Sequence, residues 1–383
     1  MDFLEPRLLL TTYTVTTADD DGPGSLRSAI TLSNASTGAD EIRFAIPGDG
    51  VHTISPLSPL PGVTGPLVLD GSTQPGPAAN HPWIELDGSR AGAAADGLRF
   101  AASISTVTLR GMAINRFGRH GVVAAARTMT RIEASFLGTD PLGQADLGNG
   151  GAGLVIQGPA TVGVPGAAGI NGRNVISGNG FAGVWVRALA ATAVEISSDY
   201  IGTDASGARA LGNDGEGVLV EAGTVRFGRG GDLAAATVIS GNGSSGVRLS
   251  GADAGNATFE NNLIGTDATG TRALPNGASP SSPFRDGVTS VGASGVRVIN
   301  VINSRNVVSG NAGAGISFRG GASPTVQGTY VGTDVTAPPP SATAVTASRR
   351  SPSAERSASP ATSSPPTGAT ASTSRPARSP GRR

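Results

Sequence analysis

Four aspartates share one recurring context: FLGTD ends at Asp140, YIGTD at Asp204, LIGTD at Asp267 and YVGTD at Asp334. A row of carboxylates has two chemical readings, calcium ligands or general acids. Calcium takes six to eight oxygens, and one Asp per repeat supplies few. An active site is usually built once, whereas a turn recurs with its repeat. Gly143, Gly207 and Gly270 each follow their Asp by three residues. That spacing predicts Asx-turns, in which the carboxylate bonds its own backbone. No catalytic or cofactor-binding residue is therefore assigned. Asp140, Asp204, Asp267 and Asp334 stay as the weak metal candidates, with calcium as the ion. Asp19-Asp20-Asp21 precedes Gly22-Pro23-Gly24 and reads as a solvated turn rather than a metal site.

Something periodic must position these residues. The GTD aspartates are 64, 63 and 67 residues apart. NVISGN from Asn174, TVISGN from Thr237 and NVVSGN from Asn306 interleave with them. A glycine followed by alternating apolar residues marks Gly97, Gly121, Gly153, Gly183, Gly217, Gly246, Gly287 and Gly315, although GVTS at Gly287 breaks the alternation. From Gly121 on, long intervals holding GTD alternate with short ones holding SGN. Each unit is thus two coils, one of them carrying a loop.

Alternation with period two marks a strand with one buried face. The strands are bounded by Gly, Asn, Asp and Ser, and no helical period separates them. Parallel strands without crossover helices leave a β-solenoid. Eight marks stacked at one strand spacing give a rod of roughly 40 Å. Asn149, Asn213 and Asn276 after the GTD loops, and Asn179, Asn242 and Asn311 in SGN, recur at equivalent places. They predict ladders that hold the turns together.

Composition fits a thin, repetitive core. Gly is 58 of 383 residues and aromatics are 4%. Cys is absent, which excludes disulfides, Cys-ligated zinc and thiol nucleophiles. All 28 basic residues are Arg, and the formal net charge is zero, so nothing general points to nucleic acid. No apolar run of transmembrane length occurs.

A solenoid needs a cap over its first coil. Tyr13–Val15 reads as a strand start, and Ser25 as the N-cap of a short helix from Leu26 to about Leu32, with Leu26, Ala29 and Ile30 on one face. Leu67–Leu69 and Ile84–Leu86 read as strands of the first irregular coils.

TVTTADDDGPGSLRSAI, LDGSTQPG (Leu69–Gly76), WIELDGS (Trp83–Ser89), INRFGRHGV (Ile114–Val122) and the IGTD/NVISGN units resemble a family of bacterial right-handed β-helix repeat proteins, similar in fold to pectate lyases. The likeness covers roughly residues 11–336. It implies an all-β, right-handed parallel β-helix and secretion, and little about catalysis. Leu4-Glu5-Pro6-Arg7 with Leu9-Leu10 resembles the LEPR-x-LL sorting motif of large secreted bacterial surface proteins. Lyases of this fold use an Arg base beside bound calcium, for which Arg187, Arg226, Arg248 or Arg297 would serve geometrically; none is assigned. His120 resembles the GHG histidine of polygalacturonases, but the Arg-x-Lys of those enzymes is missing, since the chain has no Lys.

After Thr336 the character changes. Residues 337–383 hold seven Arg, one acid (Glu355) and a single large apolar residue, Val345. As written they predict a disordered tail. The break falls inside a repeat, however. Read one base earlier, the codons of residues 338–343 permit T-A-A-L-G-N, those of 361–367 permit G-N-V-I-S-A-N, and those of 368–374 permit G-R-D-G-V-Y-I. The segment therefore reads as a frameshift product.

The expected organisation is a sorting segment (1–10), a cap with irregular coils (11–96), β-helix repeats (97–336) and the tail (337–383). The functional expectation is a secreted or cell-surface protein, structural, adhesive or glycan-binding. The alternative is a polysaccharide lyase, hydrolase or epimerase. An extracellular polysaccharide or surface partner is expected, with no nucleic acid and no transmembrane segment.

Overall fold

The computed structural model describes residues 10–336, apart from 78–79, 103, 126, 167–171, 190–191, 300–304 and 322. The tail and all but the last residue of the sorting segment lie outside the described residues.

The chain winds as a parallel β-helix. Its strands fall into three parallel sheets, here A, B and C, of eleven, ten and eight strands. Sheet C contains the strands opened by the eight glycine marks, from Leu98–Phe100 to Ile316–Arg319, stacked in chain order. The mark begins with Gly for a steric reason. A Cβ on Gly153 would sit 2.7 Å from Asn179 Nδ2 and 2.9 Å from the Gly183 carbonyl of the next coil. Gly183 meets Asn213 and Gly217 in the same way.

Sheet A begins earlier than the marks. Thr11–Val15 pairs with Asp40–Phe44, and that strand with Leu67–Asp70, before the repeats start. The cap strand is thus the first rung of the solenoid. Eleven rungs make sheet A about 50 Å long, longer than the eight marks alone imply. Helix Leu26–Ala35 lies over this end. Ser25 caps it by accepting from the Ser28 amide, and Leu26, Ala29 and Ile30 join Val15 and Ile42 in the core.

Inside, one continuous core of aliphatic side chains runs the length of the helix, with the rings of Phe227 and Phe259 stacked 4.4 Å apart. Each buried Val, Leu or Ile contributes roughly 1.5–3 kcal/mol, and every coil is covered by the next. At the other end that cover is lost. Ile316, Val326 and Val331 are half-buried, whereas Val288, Val298 and Val308, their partners one coil back, are 0% exposed.

Two ladders run along the turns. Between sheets B and C, the amide of each Asn donates to the next, Asn149 to Asn179, Asn213, Asn242, Asn276 and Asn311, every step 2.9 Å. The two Asn sets seen in the sequence are one alternating ladder. Between sheets A and B a second ladder includes Asn174, Asp199, Asn262 and Asn306.

Sheet B is buried on both faces. Phe136, Val175, Tyr200, Val238, Leu263, Val307 and Tyr330 stand in register on its outer face and form a second apolar layer. The GTD loops cover that layer.

Candidate functional site

Each GTD loop is a closed turn built on its own aspartate. Asp140 Oδ1 accepts from the amides of Gln144 (2.6 Å) and Ala145 (2.8 Å). Asp204 Oδ1 accepts from Ser206 Oγ and from the amides of Ala208 and Arg209, and its Oδ2 pairs with Arg209 Nε at 3.0 Å. Asp267 repeats the pattern with Thr269, Thr271 and Arg272, and Asp334 bonds Thr336. Burial opposes ionisation at Asp204, but its bonds from Ser206, Arg209 and the backbone outweigh that and hold the carboxyl below its usual range. The donor set does not fit calcium. One carboxylate per loop, with one oxygen already accepting two or three donors, falls far short of six to eight oxygens. Among the described residues no three His, Asp or Glu side chains converge closely enough to hold a metal ion.

The loops, though in alternate coils, touch directly. Ala205 N donates to Gly143 O (2.8 Å), Ala268 N to Gly207 O (2.9 Å) and Val335 N to Gly270 O (3.2 Å). They form one rib along the outside of sheet B. The three glycines need positive φ (+64°, +69° and +71°), and a Cβ on Gly143 or Gly207 would meet the Ala Cβ of the next loop at 2.6 Å. In the first loop, Pro141 occupies the place of these donor residues. No GTD loop precedes this one to offer a carbonyl, and Pro has no N–H to leave unpaired.

The outer face of sheet A gathers charges that the sequence left scattered. Arg131, Thr161, Glu195, Arg226, Thr258 and Arg297 stand in one register across successive strands. Arg226 bonds Glu260 at 2.7 Å, and Arg229 approaches Glu195 at 3.1 Å. Arg226 Nε is buried without a hydrogen-bond partner among the described residues. Nearer the cap, Arg110 bridges Glu133 (2.6 Å) and Asp70 (3.6 Å). Sequence reasoning singled out Arg226 and Arg297 but not Glu195 and Glu260, the carboxylates beside Arg226. The signal was the alternation within TVRF and AVEI, which places Arg and Glu on the face opposite the core.

Arg187 and Arg248 lie on sheet C instead. Arg248 bonds Glu216 at 2.6 Å and lies over the Phe284 ring. Arg187 covers Trp185 at 4.4 Å and pairs with Glu221. Phe181 meets Trp185 edge-on, and His120 lies 6.1 Å from it. His120 Nδ1 accepts from the Ala152 amide at 2.9 Å, which places its proton on Nε2. Burial lowers its pKa and Arg119, Arg99 and Arg187 add to that, against the pull of Asp96. The Asp19–Asp21 turn is locally paired: Asp19 with Thr17, Asp20 with Arg27 and Asp21 with the Gly22 amide.

No protein-family model matches the chain, and no curated protein matches it in sequence. Among solved structures, the chain is similar to the A-module of mannuronan C-5 epimerase AlgE4 from Azotobacter vinelandii, with 15% identity and a TM-score of 0.38 over 87% of this chain and 100% of that one. It is also similar to pectate lyase Pel9A, with 14% identity and a TM-score of 0.28 over 83% of this chain and 78% of that one. At this distance neither likeness bears on the chemistry of the site.

Proposed function

We propose that the chain is a secreted or cell-surface repeat protein that binds extracellular polysaccharide along its length and has a structural or adhesive role. The observation that carries this reading is the rib of GTD loops. Its aspartates are consumed in building the loops, and the loops are hydrogen-bonded to one another, so what the solvent meets is a repeated surface rather than a reacting group. A repeated surface suits a repeated ligand, because weak contacts at successive loops add through effective concentration. Purified chain is incubated with neutral and acidic polysaccharides, followed by co-sedimentation and by assay for new reducing or unsaturated ends. Binding without new ends is expected.

One observation favours a second reading, a polysaccharide-active enzyme. Glu195, Arg226, Arg229 and Glu260 bring carboxylates and guanidinium groups together on adjacent coils. Release of ends from a polysaccharide, abolished by Glu195→Gln, decides for that reading over the first.

A further inference from the structure

The ladder between sheets B and C is made of a labile sequence. Of its six rungs, Asn149, Asn179, Asn242 and Asn276 are each followed by glycine, while Asn213 precedes Asp214 and Asn311 precedes Ala312. Asn–Gly is the pair in which the following amide nitrogen most easily reaches the side-chain carbonyl carbon, because glycine has no Cβ in the way. We infer that these four rungs are latent deamidation sites, which the coil stack both demands and protects.

The demand is steric. A Cβ on Gly150 would lie 2.5 Å from the Gly118 carbonyl, and one on Gly180 would lie 2.8 Å from the Gly150 carbonyl. Gly277 takes φ +80°. The turn after each of these rungs therefore excludes other residues, and the fold accepts the labile pair for its shape.

Protection comes from the hydrogen bonds. The attacking nitrogens are engaged: Gly150 N donates to Phe117 O (2.8 Å), Gly180 N to Asn149 O (2.8 Å), Gly243 N to Asn213 O (2.8 Å) and Gly277 N to Asn242 O (2.9 Å). The leaving amides are held too, each donating to the next rung and to a carbonyl further back, as Asn179 Nδ2 does to Asn213 Oδ1 and Leu137 O. Neither partner can rotate into the attack geometry without opening the coil.

In the opened chain the glycine nitrogen loses its proton and attacks Asn Cγ. The new C–N bond closes a succinimide as the Cγ–Nδ2 bond breaks, and the nitrogen leaves as ammonia. Water then opens either carbonyl, giving Asp or isoaspartate. The balance is amide plus water to acid plus ammonia, with no oxidant or reductant.

The second ladder shows what an acid rung meets on return. Asp199 occupies a place that Asn174, Asn262 and Asn306 fill in other coils. Its Oδ1 accepts from Asn174, while its Oδ2 is buried without a hydrogen-bond partner. Four such rungs, some with the longer isoaspartyl backbone, do not restack. Unfolding of this protein thus becomes irreversible with time.

The test holds the full chain folded, and unfolded in urea, in mildly alkaline buffer, and follows each rung by peptide mass spectrometry. Rungs 149, 179, 242 and 276 convert in urea, ahead of 213 and 311, and at least about a hundredfold slower in the folded chain, as expected when only the rare opened state reacts. Refolding yield after the urea hold falls in step with conversion, and the refolded fraction is depleted of modified rungs. Equal rates in folded and unfolded chain, or modified chain refolding with unchanged Tm, overturns the inference.

Discussion

Ala205 N donates to Gly143 O across 2.8 Å, binding the loop of one coil to the loop two coils earlier. The loops are therefore coupled over the head of the intervening SGN coil, and the sheet beneath them, with Phe136 and Tyr200 on its outer face, is sealed from water. A glycine in this contact serves twice, once for its backbone angle and once for its missing side chain.

Gly207→Ala separates these two roles when set beside Gly50→Ala. Gly207 has φ +69° and would place a Cβ 2.6 Å from that of Ala268, whereas Gly50 has φ +87° and open space around it. Left-handed backbone costs an ordinary residue about 1–2 kcal/mol, and overpacking adds about 1–3 kcal/mol. Thermal unfolding is expected to show the larger loss in Gly207→Ala. Equal losses would mean that the loop contact contributes nothing.

Asp199 makes the stability of the helix pH-dependent. Burial pushes its carboxyl up to about 8, against the bonds from Asn174 and the charge of Arg173. Below about pH 4 both folded and unfolded chains hold the proton, and the group has no effect. From there to about pH 8 the unfolded chain gives up the proton and the folded chain keeps it, so stability falls by at most about 1.4 kcal/mol per pH unit; above pH 8 the penalty is constant. Asp199→Asn replaces the orphan oxygen with the donor that other coils carry. Its advantage in denaturant midpoint is expected to be small at pH 4 and to grow to a plateau near pH 8. A pH-independent difference would show that the carboxyl is ionised throughout.

The sequence carried one sheet almost completely and concealed the others. GLVI, GVWV and GVLV alternate over enough residues to reveal a face, and the glycine before each is forced by the next coil. Sheet B strands such as Phe136–Leu137 and Tyr200–Ile201 are two residues long, too short to show a period. That their first residue faces outward and is still buried depends on a loop that folds back over it, which is a non-local fact. The Asn ladder was legible because its spacing recurs. Asp199 was not, since an Asp between Ser198 and Tyr200 looks like any loop acid until its neighbours across the coils are known. The Glu195–Arg226 pairing was hidden for the same reason, as register joins residues thirty positions apart.

Calcium is expected to leave the protein unchanged. The oxygens of Asp140, Asp204 and Asp267 that face their loops already accept backbone amides. Adding millimolar calcium should not shift Tm, and Asp204→Ala should lower it without regard to calcium, the lost turn bonds costing about 1–3 kcal/mol of stability. A calcium-dependent rise in Tm that Asp204→Ala abolishes would establish a metal role for these loops.

The last coil bears on the reading frame of residues 337–383. Ile316, Val326 and Val331 are half-exposed where the preceding coil has fully buried valines, and half-buried apolar strands at a sheet edge invite aggregation. Three earlier loops place a ladder Asn nine residues after the GTD aspartate: Asp140 and Asn149, Asp204 and Asn213, Asp267 and Asn276. Nine residues after Asp334 stands Thr343. A threonine codon begins with A and C, so a frame starting one base earlier ends the new codon in AC, which Asn permits. The shifted frame thus supplies the next rung at the place where Asn311 needs one, and GNVISAN and GRDGV continue the coils beyond it. Independent sequencing of the coding DNA is expected to reveal one base gained or lost near codon 337. The chain read through in the other frame is expected to be more soluble and to unfold at higher temperature than the written one. A confirmed written frame, together with a soluble basic-tailed protein isolated from cells, would falsify this.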